Sequence, residues 1–215
     1  CLDEGHVTVM RWFGHSALGS CGVFQAQNSP LRHFVADPYR GGKPIGEVGD
    51  LWKSEVRSSS RAYLWLSDTQ LVDGSWWACY REGQPDRSVE RRETNYIAYI
   101  ATGVWHHFLI AQDALFLERL FPVVVRALEF VLRYRGPEGE IDWAVDSVGA
   151  PLGDALVTGC SSIYKSLECG ILIADQLGQK RDHWENARSR LGEALRHKSA
   201  RFDRTWESKS RYAMD

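Results

Sequence analysis

The feature that most constrains this chain is a helix end followed by a tight turn at residues 61–77, RAYLWLSDTQLVDGSWW. Arg61, Ala62, Trp65 and Leu66 have the spacing of the last turns of a helix; Gln70 and Gly74 then break it, and Trp76 follows. The arrangement returns 65 residues later: Arg126, Ala127, Phe130 and Val131 precede Arg135 at the glutamine position, then Gly139 and Trp143. One such pattern suggests a turn. Two in register suggest a repeated helical hairpin.

The spacing elsewhere agrees. Residues 1–49 carry neither helical nor strand periodicity and are dense in Gly and Pro, so an irregular or poorly ordered segment is expected there. Asp50 is placed as the N-cap of a helix that Gln70–Gly74 ends, and 83–92 reads as a charged loop. A helix with Glu93 just ahead of it begins at Thr94 or Asn95 and runs to about Ala111, apolar over more than half its circumference. Within it, Trp105 is the first candidate for the core. Asp113 caps the next helix, in which Pro122 predicts a kink or a restart. After the loop 135–157, helices are expected from about Thr158 to Leu177 and from an Asp182 N-cap onward. No run of alternating strand residues stands out.

Helices that are apolar nearly all round need neighbours on two sides. An all-α fold, an α/α toroid of helical hairpins with two concentric layers, meets that demand better than a four-helix bundle does. The long loops then gather at one end, where a site could sit.

Totals narrow the function classes. A net charge of −2 gives no reason to expect nucleic acid or an anionic membrane as partner. The densest apolar stretch, 96–125, is too interrupted by polar residues to span a membrane, and no signal peptide is read. Five cysteines without CxxC spacing read as reduced and structural, which suits the cytoplasm, and no metal site or cofactor is expected. The chain starts at Cys1 and reads as part of a longer protein.

The Gln-x-x-x-Gly-x-Trp pattern resembles the QW motif of terpenoid cyclases and protein prenyltransferases. From 50 to 215 the chain resembles the actinobacterial prenyltransferase-like family, on DGSWW (73–77), ETNYIAYIATGVWHHFL (93–109), FLERLFPVVVRALEFVL (116–132), GEIDWAVD (139–146), LVTGCSSIYKSL (156–167) and SRYAMD (210–215). That resemblance implies one domain over 50–215, an α/α toroid of the kind shared by terpenoid cyclases and six-hairpin glycosidases. It further implies that the chain holds about half of an (α/α)6 ring. A transferase or cyclase acting on an isoprenoid is the activity it implies.

The residues themselves fit that chemistry incompletely. Neither DxDD nor DDxxD is present, and Cys160 has no His at a spacing that would share a zinc ion with it. The alternative is a six-hairpin glycosidase-like enzyme acting on an oligosaccharide with paired carboxylates, which need a separation of roughly 5–9.5 Å. The segment 113–132 resembles the D-x-x-FL helices of that group. Candidate catalytic residues are Glu93, Asp142 and Asp146, and candidate substrate-binding residues are Trp76, Trp77, Trp143 and Asn95. Set against these are plainer roles: helix capping for Glu93, solvated loop positions for Asp142 and Asp146, and core packing for the tryptophans. A non-catalytic binding toroid is a further alternative.

Overall fold

A computed structural model describes residues 45–205. The irregular segment expected over 1–49 lies outside the described residues except for 45–49, and the SRYAMD segment lies wholly outside them. In chain order the elements are helix α1 (Ile45–Thr69), strands β1 (Tyr80–Arg81), β2 (Gln84–Pro85) and β3 (Arg91–Glu93), helices α2 (Thr94–Ala111) and α3 (Ala114–Leu132), strand β4 (Ala144–Asp146), helices α4 (Val157–Gln176) and α5 (Asp182–His197), and a 3-10 turn at Ser199–Arg201.

Helix periodicity located these helices well; their ends and the strands needed tertiary context. Asp50 does not cap α1, which already starts at Ile45. Asp182 is the first residue of α5, with Arg181 at the N-cap position. Asp113 does cap α3, its carboxylate accepting from the Phe116 amide at 3.0 Å. Pro122 neither breaks nor restarts α3, which runs through it. Both Pro122 and Glu118, whose carbonyl loses its helical partner, lie on the exposed side, where water can satisfy that carbonyl. Helix α4 ends in a Schellman motif: Gly178, at φ +67°, donates to Asp175 O at 3.0 Å, and Gln179 donates to Ala174 O at 2.7 Å. The four strands are only two or three residues long, too short for alternation to register in sequence.

Helix α2 packs most extensively against α4 and next against α3; α4 packs on α5 and more lightly on α3, and α1 lies against α2 and α3. Helices α2 and α4 are therefore the central pair, flanked by the other three. Hydroxyl pairs bridge their mutual face: Thr102 Oγ1 lies 3.1 Å from Ser166 Oγ, and Tyr99 donates to Ser162 Oγ at 2.9 Å. Outside that seam the core is apolar, with Leu120, Val124, Leu128, Phe130, Ile163, Leu167 and Ile173 fully enclosed. Trp184 is fully enclosed, with its indole donating to Glu129 Oε1 at 2.8 Å, whereas Trp105 is only partly buried against the core. No helix among the described residues is long and apolar enough to cross a membrane.

The repeat is a repeat of contacts. Gly74, at φ +95°, is pressed onto the backbone of α3; a Cβ there would stand 2.2 Å from Arg126 O. Gly139, at φ +105°, is pressed in the same way onto α5, where a Cβ would stand 2.7 Å from Arg190 O. The glutamine part of the pattern does not repeat. Gln70 donates to Gly74 O and Val123 O, each at 3.0 Å, and accepts from Arg126 Nε at 2.8 Å. In the second unit Arg190 instead donates to Pro137 O at 2.6 Å. After α5 a third turn residue with positive φ, Asp203 at +50°, follows Gly139 at nearly the same interval.

Substituting these glycines should rank by what a side chain would meet. Gly74→Ala and Gly139→Ala combine a disfavoured φ with backbone overlap and should each cost about 3 kcal/mol or more. Gly83→Ala, at φ +73° with open space around it, should cost about 1 kcal/mol. Denaturant midpoints of the three variants check the order.

His107 adds a pH dependence. It is buried between Tyr63 and Phe116, with ring centroids 5.7 and 4.6 Å away; Nε2 bonds Ser60 Oγ at 2.9 Å, and Nδ1 has no partner among the described residues. Burial pushes its pKa below the ordinary 6.5, opposed by a Val56 backbone bond and by Asp113. The unfolded chain therefore takes up this proton first as pH falls. Stability should be complete above about pH 6.5 and decline below it until the folded-state pKa is passed. Melts between about pH 7.5 and 5 should show this, with a shallower slope in His107→Gln.

Candidate active site

Strands β3 and β4 pair antiparallel, Arg91 opposite Asp146, Arg92 opposite Val145 and Glu93 opposite Ala144. This pairing joins the two long loops at the N-terminal end of α2. Thr94, fully buried, completes the junction: its amide donates to Trp143 O at 3.0 Å, and its hydroxyl reaches Asp142 O at 2.6 Å and Trp143 O at 3.1 Å. A loop carbonyl thus satisfies the first amide of α2, and Glu93, at the N-cap position, makes no side-chain cap bond. Its buried carboxylate, 3% exposed as a residue, accepts from Arg91 Nε at 2.8 Å while standing at the N-terminal end of the helix.

The same Arg91 guanidinium lies over the Trp143 ring, 5.4 Å from its centroid. Trp143 is buried, grouped with Ala144 and Leu156. Asp142, next to it, is half-buried; burial pushes its carboxyl above the ordinary 3.8, Arg204 opposes that, and Glu140 and Asp154 add to it. Asn95, in the first turn of α2, is half-buried and faces Gly159 of α4, where a Cβ would sit 3.8 Å from Asn95 Cβ. Glu93, Asp142, Trp143 and Asn95 therefore come together around one helix N-terminus.

The remaining sequence candidates take other positions. Asp146 belongs to the same strand pair, but its Oδ1 accepts from the amides of Val148 at 3.0 Å and Ala150 at 2.8 Å and so shapes the turn after β4. Trp76 is 2% exposed and donates its indole N–H to Leu66 O at 2.9 Å, making it a core residue that offers no ring face to a ligand. Trp77 is half-buried, with the guanidinium groups of Arg87 and Arg92 each 5.7 Å from its ring.

Three residues that pattern reading passed over belong to this region. Arg91 and Arg92 sit in a charged run, Glu90–Glu93, that reads as a solvated loop. Asp154 sits in a Gly- and Pro-rich loop, yet it is fully buried, accepting from the amides of Ala155 at 2.8 Å and Thr205 at 2.9 Å, with Arg204 Nε at 3.4 Å. Among the described residues no three His, Cys, Asp or Glu side chains converge in a metal-binding cluster. Cys160 is buried and donates to Ile141 O at 3.4 Å, and burial pushes its thiol up to about 12, which keeps it protonated.

No family model matches the chain. The chain is 40% identical over 154 residues to MMP endo-(1,4)-3-O-methyl-alpha-D-mannosidase of Mycolicibacterium hassiacum. The match covers 72% of this chain and 41% of that protein, so the chain spans less than half the length of its relative. The relative is a glycosidase, and it agrees with the carbohydrate alternative better than with the isoprenoid reading.

The geometry separates Asp146 from the other two carboxylates. Asp146→Asn keeps the Oδ1 acceptor and should leave the melting midpoint within about 0.5 kcal/mol of the native protein. Asp146→Ala leaves both amides without that acceptor and should cost about 1–2 kcal/mol. Thermal denaturation of the pair checks this.

Proposed function

We propose that this chain is part of a glycoside hydrolase that cleaves an oligosaccharide by carboxylate acid/base chemistry. The observation that carries the reading is the 40% identity to the mannosidase over 154 residues. The contact pattern supports an α/α toroid, with α2 and α4 as neighbouring inner helices and α1, α3 and α5 outside them. A single domain would then run from α1 to the end of the chain and supply part of the ring.

In this reading the substrate resembles the one named for the relative, a 1,4-linked 3-O-methyl-α-D-mannose oligosaccharide. It lies across the N-terminal ends of the inner helices. Asp142 is the general acid: its raised pKa favours the protonated form that donates to the leaving oxygen. Glu93, ion-paired with Arg91, is the carboxylate that assists attack on the sugar carbon. Asn95 binds a sugar hydroxyl, and Trp77 supplies aromatic surface near the sugar rings, with the buried Trp143 ring backing Arg91. Asp146 holds the loop that carries Asp142 and does not itself transfer a proton.

The test uses the full-length protein with a 1,4-linked 3-O-methyl-α-D-mannose oligosaccharide, an unmethylated counterpart and an isoprenyl diphosphate. Turnover is expected on sugar and not on the diphosphate. Glu93→Gln and Asp142→Asn should each lower kcat by about 10²–10⁴-fold, whereas Asp146→Asn should retain most of it. Release of a prenyl product without sugar cleavage, or full activity in both Glu93→Gln and Asp142→Asn, would overturn the assignment.

A further inference from the structure

Arg92 is the most heavily engaged charged residue near the site. It is 6% exposed and lies in β3, one residue before Glu93. One terminal nitrogen donates to Asp73 Oδ2 at 2.6 Å. The other donates to Asp146 O at 2.9 Å and reaches Ser147 O at 3.5 Å. The guanidinium carbon stands 5.7 Å from the Trp77 ring centroid and 5.6 Å from that of Phe130. Nε is buried with no hydrogen-bond partner among the described residues. Burying a guanidinium with one of its N–H groups unsatisfied is unfavourable, so the bonds made by the two ends must outweigh it.

Those ends hold two turns built alike. Asp73 Oδ1 accepts from the amide and hydroxyl of Ser75, at 3.0 and 2.6 Å, which leaves Oδ2 for Arg92. Asp146 Oδ1 accepts from Val148 and Ala150, while its carbonyl is shared between the Gly149 amide at 3.2 Å and Arg92. Gly149, at φ +95°, lets the second turn close over the guanidinium; a Cβ there would stand 3.4 Å from the terminal nitrogen. Tyr134, two residues past the end of α3, donates to Gly149 O at 3.3 Å and supports the same turn.

We infer that Arg92 is a positioning residue: it fixes the Asp73 turn and the Asp146–Ala150 turn against β3, and so sets where Asp142 lies relative to Glu93. The inference rests on the glycoside-cleaving reading for its catalytic consequence and on geometry alone for the placement of the turns. Lysine cannot replace it. A single ammonium can reach Asp73 or the carbonyls of Asp146 and Ser147, but it cannot present two planar ends to both turns at once.

The test compares Arg92→Lys and Asp73→Asn with the native full-length protein by circular dichroism, amide hydrogen exchange over 146–150, and kcat and KM on the methylated mannose oligosaccharide. Arg92→Lys should keep the native dichroism spectrum, speed exchange at the Val148 and Ala150 amides by about tenfold and lower kcat by about tenfold, with KM changed less than about threefold. Asp73→Asn loosens only one end, so the same changes should appear at about threefold. If Arg92→Lys does not fold, Asp73→Asn decides the matter by the same readouts. Native exchange at 146–150 in the folded variants, or a loss of activity that only tracks the unfolded fraction, would overturn the positioning role. A native protein that cleaves no carbohydrate would instead overturn the functional reading, while the exchange data would still decide whether Arg92 holds the turns.

Discussion

The arrangement depends on two glycines pressed against helix backbone. Gly74 lies on α3 at Arg126 and Gly139 lies on α5 at Arg190, each so close that no side chain fits between. A contact of backbone against backbone fixes distance more tightly than one between flexible side chains, because nothing at the interface can change rotamer. Each turn is thus seated on the flanking helix of the next unit, and the chain leaving it is aimed from a defined point. From Gly74 that chain leads through β1, β2 and β3 to α2; from Gly139 it leads through β4 to α4. The meeting of β3 with β4 follows from two turns that start in equivalent places. The site region is where the two exits cross.

This explains which parts of the structure could be read from sequence. The helices could be, because their amphipathic spacing is local and long enough to recur several times within each element. The turn glycines could be as well, since a Gly after a helix end is a strong local signal. The starts of α1 and α5 could not, because Asp50 and Asp182 are good capping residues in sequence, yet α1 begins before Asp50 and α5 begins at Asp182 itself. The strand pair was invisible for a different reason. Three residues against three carry no period, and the partners lie more than fifty residues apart.

The candidate site residues could be picked by type, and the structure shows where each of them lies. Glu93, Asn95, Asp142 and Trp143 were singled out, and the fold gathers them around the start of α2. Trp76 was singled out because it lies on a loop, yet that loop turns inward and its indole N–H is used by Leu66 O. Arg91 and Arg92 were missed because neighbouring charges in a loop ordinarily face water. Here strand pairing forces alternate residues to opposite faces, so both arginines find partners: Arg91 with Glu93 and Trp143, Arg92 with Asp73 and the Asp146 carbonyl.

Asp142 and Asp146 show how four residues of separation can place one chemical type in two different surroundings. Both are half-buried, and both belong to the segment that Thr94 and β3 hold in place. Asp146 receives two backbone amides on one oxygen, so its carboxylate is spent on the shape of a turn. Asp142 is held by its own carbonyl, through the Thr94 hydroxyl, which fixes its backbone without engaging its carboxyl there. Its surroundings then act on the carboxyl through burial and the nearby charges of Glu140 and Asp154, against Arg204. A carboxyl positioned through its main chain and kept from easy ionisation is suited to carry a proton, whereas the Asp146 carboxylate already holds two turn amides on one oxygen. That contrast joins hydrogen bonding with burial, and it is the reason Asp142 rather than Asp146 is proposed as the acid.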